Sequence, residues 1–175
     1  MTHRGNVAGI HDALLGLAEE LKRRNALADA HDLADVPRLI VAMDSTNATL
    51  SRLARYWEMF RSQDDPKTSP AITALEEALW SGRAARVHVI FDSTPRTSVL
   101  GAAAHELFAT VVLARVTADT WQRLAPLAGP APKQLHMQRG RVHVVQHGET
   151  HETQAIWMTD ADVVNWLTDP DDPAS

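Results

Sequence analysis

An α/β layered sheet with a C-terminal β-hairpin is the fold this sequence predicts, and three features predict it. Short apolar runs at Val36–Met43, Val87–Phe91 and Thr110–Ala114 have the length of strands buried in a parallel sheet. Between them lie stretches whose apolar residues recur at helical spacing. Near the end, two alternating segments flank His147-Gly148-Glu149, the pattern of a hairpin. Strands that alternate with helices belong to layered sheets.

Taken in order, Val7 to Leu27 places Ile10, Leu14, Leu17, Ala18 and Leu21 on one helical face. Lys22, Arg23 and Arg24 then suit the negative end of that helix dipole. Asp29 to Asp35 is a polar connection. In Val36–Met43 the proline, Pro37, stands at the strand's start, where a missing N–H is tolerated, and Asp44 closes the run. A helix from Ala48 to Arg61 would bury Leu50, Leu53, Ala54, Trp57 and Phe60, until the prolines and aspartates of 62–70 break it. Pro70 opens the next helix at the first position, where proline is favoured, and Ile72, Leu75, Leu79 and Trp80 form its stripe towards Ala85. Val87–Phe91 is a second buried strand. A helix over 100–108 precedes the strand Thr110–Ala114, and another spans 118–126. After an irregular loop, the hairpin strands are expected at Val142–Gln146 and Thr153–Met158. A short helix from Asp160 to Leu167 follows, with Thr159 as its N-cap.

With 45 % hydrophobic and 22 % charged residues, the 175 residues suffice for one full core, expected over 1–168 with 169–175 as a disordered tail. No apolar run approaches the ~20 residues a membrane span needs, and the N-terminal segment, interrupted by His11, Asp12, Glu19 and Glu20, does not read as a signal peptide. No membrane partner is expected. The chain has no cysteine, which excludes disulfides, thiol nucleophiles and cysteine-ligated metals. A cytoplasmic setting follows as the default. The net charge of −5 argues against binding nucleic acid through a broad basic face.

The chemistry-bearing residues are few. Asp44, at the end of an apolar strand, stands where P-loop nucleotide hydrolases hold Mg²⁺; it equally suits a loop that caps the following helix with Ser45 or Thr46. No GxxxxGK(S/T) loop occurs, and none of the lysines, Lys22, Lys67 and Lys133, follows a glycine-rich turn. His143, His147 and His151 lie four apart, but Gly148 should turn the chain between them, so they read as solvated hairpin histidines. His105-Glu106 lacks a second histidine at 109. Ser45, His88 and Asp92 could form a hydrolase triad only without the usual nucleophile elbow. Arg139-Gly140-Arg141 is a compact basic turn, suited to phosphate, to a neighbouring subunit or to plain solvation.

Together these segments resemble the C-terminal half of the FtsK/SpoIIIE DNA-translocase domain, most of all its plasmid-transfer members, over roughly Ile10 to Leu167. Pro37 to Asp44 matches the family's Walker B strand. Gly82-Arg83-Ala84-Ala85-Arg86-Val87-His88 and the following Val89-Ile90-Phe91 match the segment leading into its sensor strand. Arg139-Gly140 matches a basic turn of the family, and Gln154 to Asp160 its closing strand and helix. The resemblance implies a partial RecA-like sheet whose Walker A strand and loop are missing from this chain. It also marks Asp44 as the Walker B acid and magnesium ligand, Ser45 where the family has glutamate, and Thr94 where it has the sensor glutamine. A serine hydroxyl neither takes a proton at neutral pH nor carries the charge that orients water.

These departures predict a degenerate relative that acts as a non-hydrolysing partner or regulator in plasmid, phage or chromosome transfer. The alternatives are the C-terminal part of a split translocase, with Walker A from another chain, and an interaction protein on a translocase-derived scaffold. No cofactor is expected for the isolated chain, and Mg-ATP only where a partner supplies Walker A. Arg83, Arg86, Arg139 and Arg141 are the candidates for contact with DNA or a neighbour, DNA contact being weak or indirect. A homo-oligomer or a translocase-like partner subunit is expected, because Trp157 and Trp166 fall where few elements remain to cover them.

Overall fold

The computed structural model describes residues 6–29, 33–94, 107–132 and 139–168. The helix expected over 100–108 and the tail at 169–175 lie essentially or wholly outside them. The chain is mixed α/β and divides into two compact units, Met1–Phe108 and Ala109–Ser175.

The first unit contains α1 (Val7–Asp29), β1 (Leu39–Met43), α2 (Thr46–Phe60), α3 (Pro70–Ser81) and β2 (Val87–Phe91). In α1 the buried residues His11, Leu14, Leu17, Leu21 and Arg24 follow one helical stripe. The helix runs on to Asp29, so Lys22, Arg23 and Arg24 lie inside it and not at its end. Arg23 and Arg24 pair instead with Glu20 one turn back. Arg24 is buried and reaches further, donating Nη1 to the carbonyls of Pro37 (2.7 Å) and Ala85 (3.5 Å). It thereby fastens α1 to the segments that lead into both strands.

β1 and β2 pair in parallel, with Leu39 opposite Val87 and Met43 opposite Phe91. Among the described residues only one face of this pair is packed. Leu39, Val41, Met43, Val87, Val89 and Phe91 turn towards Leu50 and Leu53 of α2 and Ile72, Leu75 and Ala78 of α3. On the other face Ile40 and Ile90 are 53 % and 57 % exposed. The expectation of strands buried on both faces is corrected: period-2 alternation splits each apolar run between a covered face and an open one. Phe60 and Trp80 also fall outside the core, Trp80 at 67 % exposure. In α3 the small residues Ala71, Ala74 and Ala78 fill the buried stripe beside Ile72 and Leu75, and Trp80 lies off it. α3 ends at Ser81, short of the expected Ala85. The chain then turns so that Gly82 accepts from the Val87 N–H, and a Cβ at Gly82 would collide with the Ala78 carbonyl.

The second unit holds β3 (Thr110–Leu113), α4 (Ala118–Leu124), a 3-10 turn (Pro126–Ala128), β4 (Arg141–Gln146), β5 (Glu149–Gln154) and α5 (Asp160–Thr168). The strands form one antiparallel sheet in the order β3-β4-β5. β3 thus belongs to a separate sheet and does not extend the parallel pair, so the expected single layered sheet is replaced by two small ones. Leu113, Trp121, Ala125 and Val145 form the second core. Trp121 is fully buried, donates Nε1 to the Gly129 carbonyl (3.0 Å) and meets His143 edge-on at 5.5 Å. α4 is capped by Thr117, whose hydroxyl accepts from the Thr120 N–H.

The hairpin turn has two residues, His147 and Gly148, both at positive φ (51° and 82°), as a type I′ turn requires. Gln146 therefore faces Glu149, and β5 runs over Glu149–Gln154. The expected second strand, Thr153–Met158, is displaced by this register. The apolar residues Ile156, Trp157 and Met158 fall beyond the sheet.

Candidate functional site

The carboxyl ends of β1 and β2 are where an open parallel sheet places ligands, and here the two ends carry the same tripeptide. Asp44-Ser45-Thr46 follows Met43, and Asp92-Ser93-Thr94 follows Phe91. Since Met43 and Phe91 are register partners, the two copies emerge side by side. Backbone bonds tie them: the Asp92 N–H donates to the Met43 carbonyl and the Thr46 N–H to the Asp92 carbonyl, both at 2.9 Å. The Thr46 hydroxyl, buried, donates to the Met43 carbonyl at 3.0 Å. Asn47 completes the clasp through Nδ2 to the Thr94 carbonyl, at 2.7 Å.

Ser45 sits between Asp44 and the start of α2 in the left-handed region (φ 52°, ψ 45°), a conformation that costs a non-glycine residue roughly 1–2 kcal/mol. Its hydroxyl donates to the Asp44 carboxylate at 3.2 Å. Asp44, Ser45, Asp92, Ser93 and Thr94 are all exposed, so the site is an open surface of two carboxylates and several hydroxyls. Asp44, Ser45 and Thr94, singled out from the sequence, are brought to this one place. Asp92, weighed from the sequence only for a triad, Thr46, weighed only as a cap, and Asn47 join them; the repeated Asp-Ser-Thr after each strand is the signal for the first two, and nothing in that repeat marks Asn47.

Other candidates are dispersed. Arg83 and Arg86 lie just ahead of β2, at the opposite end of the strand pair. The Arg86 guanidinium is engaged with the carbonyls of Leu33 and Ala34, at 2.8 Å each. Arg139 and Arg141 belong to the second unit, where Arg141 pairs with Glu152 across the hairpin. His88 and Asp92 stand four residues apart on and just after β2, about 13 Å along an extended strand, too far for a triad with Ser45. His143 is buried against Trp121 and is not a solvated hairpin residue. It faces Glu152, whereas His151 faces Val144 one position on, so the two imidazoles leave opposite faces of the hairpin. Among the described residues no group of three or more histidines and acids could hold a metal ion. His105 and Lys133 lie outside those residues.

For Mg-ATP, Asp44 would supply one oxygen ligand, and phosphates need a cation as well; among the described residues neither lysine stands beside it. Lys22 lies in α1 and Lys67 in the connection between α2 and α3. No helix among the described residues is long and apolar enough to cross a membrane.

No known protein family, curated protein or solved structure matches this chain.

Proposed function

We propose that this chain is a non-hydrolysing partner or regulator in plasmid, phage or chromosome DNA transfer, working in the cytoplasm as a subunit bound to other chains. One observation carries the reading: the strand that leads to Asp44 pairs in parallel with the strand that leads to Thr94, so both turns meet at one sheet end. That juxtaposition is what the resemblance to the FtsK/SpoIIIE translocases requires of a Walker B acid and a sensor. The same place carries Ser45, a neutral hydroxyl that cannot act as a base at neutral pH. The sequence supplies no phosphate-cradling glycine-lysine loop. The site keeps the frame of a nucleotide hydrolase without its working groups.

A second reading, the C-terminal part of a split translocase, is favoured by the parallel sheet having two strands among the described residues. An unpaired strand edge is a place for another chain's strand. Affinity capture from the native host followed by mass spectrometry tests both. A partner of the DNA-transfer machinery supports the first. ATP turnover that appears only on mixing with a captured chain bearing a GxxxxGK(S/T) loop supports the second and overturns the first.

DNA contact belongs to the assembly and is weak for the chain alone. Of the four candidate arginines, Arg86 and Arg141 already serve the fold. Binding of duplex DNA by the purified chain is expected to be slight and to fade with added salt. Nanomolar binding near physiological salt, measured by fluorescence anisotropy, would contradict this.

A further inference from the structure

α1 and α3 pack against each other, and a groove of about 800 Å³ runs along their seam. Leu21 of α1, itself buried, lines it, and Trp80 of α3 supplies an aromatic wall that is left mostly exposed. Among the described residues no ring or cation lies against the Trp80 indole. The Asn25 amide donates to the Ser81 hydroxyl at 3.4 Å and ties the two helices where the groove forms. The charge of this groove is one-sided. Glu19 and Asp29 line it from α1 and Glu77 from α3, all exposed, and Lys22 is the one cation among the described lining residues. Glu20, next to Glu19, is held by Arg23 and Arg24. Glu19, Asp29 and Glu77 pair with no cation among the described residues.

That charge decides what fits. An apolar cover would strip water from three carboxylates with one ammonium to offset them, a cost that the buried area does not return. A cation gains twice, from the carboxylates and from the face of an indole, the best aromatic partner for a positive charge. Glu77 and Trp80 stand at i and i+3 of α3 and are neighbours on its surface. One planar guanidinium can therefore lie on the ring while its N–H edge meets the Glu77 carboxylate. We infer that this groove docks a basic segment of a partner polypeptide, with an arginine side chain on Trp80. The occupant is a polypeptide because the groove is open along both helices, whereas a small-molecule pocket encloses roughly 70–90 % of its ligand. The inference goes beyond the proposed function and does not rest on it.

Two-dimensional nitrogen–proton NMR of the full chain tests it, with the Trp80 indole signal assigned by its loss in Trp80→Phe. The probe is a short peptide of alternating arginine and glycine, added at low salt up to about 1 mM. The Trp80 signal should move saturably, and the same peptide with neutral citrulline for arginine should leave it in place. Glu77→Gln and Glu19→Gln, both at exposed positions, should each weaken binding by about two- to fivefold. Glu58→Gln, on α2 and outside the groove, should leave it unchanged. A Trp80 signal that stays still, an equal response to the citrulline peptide, or full affinity in Glu77→Gln overturns the inference. An equal response to free arginine amide assigns the groove to a small organic cation, and a signal that moves with protein concentration alone assigns it to a second copy; either overturns it too.

Discussion

Glu20 lies between two guanidiniums, accepting from Arg23 at 2.8 Å and from Arg24 at 2.6 Å. The hydrogen bonds from Arg23, then those from Arg24, hold its carboxyl well below the usual range, from 4.5 down to about 2. The charged form is favoured by the folded state, so its contribution to stability is complete above pH 4.5. It is lost as the pH falls through the folded value of about 2. Asp162 has the same sign, lowered by the Thr159 hydroxyl and then by the Thr159 N–H in a reciprocal cap at the start of α5. Glu20→Gln should therefore unfold at lower urea than the parent at neutral pH, and the gap should close as pH is lowered from 4.5 towards 2. A gap that stays constant across that range would contradict the pairing. Arg24 shows why such a role is hard to read in advance. Its place among three cations suggests a helix end, while burial and two distant carbonyls make it a tie between α1 and the strands.

At the scale of elements, the hairpin turn decides the most. His147-Gly148 at positive φ sets the β4–β5 register, and with it every cross-strand pair of that hairpin. Gly148→Ala should destabilise the second unit by about 1 kcal/mol through its left-handed backbone. Gly16→Ala, in the middle of α1 with open space around it, should instead stabilise by roughly 0.5–1 kcal/mol. Urea midpoints compare the two, and an unchanged midpoint for Gly148→Ala would argue against the turn. Most elements were legible in the sequence, since α2, α3, α4 and α5 and four of the strands lie within a few residues of their apolar patterns. β5 was not. Its Glu-Thr-His-Glu-Thr-Gln is polar on both faces, so the apolar Ile156-Trp157-Met158 drew the expected strand too far along the chain. Backbone pairing from a tight turn outweighed side-chain pattern there. The sheet partner of β3 was equally hidden, because a short apolar strand does not declare whether its neighbour is parallel or antiparallel.

At the scale of the whole molecule, the candidate site was half legible. Asp44, Ser45 and Thr94 stood out through a resemblance, but their meeting depends on the register of β1 with β2, which no local pattern encodes. The arginines stood out as charges, and Arg86 and Arg141 proved to hold backbone or a cross-strand acid. The central claim is that the Asp44–Thr94 end of the parallel pair keeps the frame of a nucleotide site and has lost its chemistry. Isothermal titration of the purified chain with Mg-ATP tests it most directly. The account predicts no binding tighter than ~1 mM, about −4 kcal/mol. Saturable binding in the micromolar range that Asp44→Ala abolishes would contradict it.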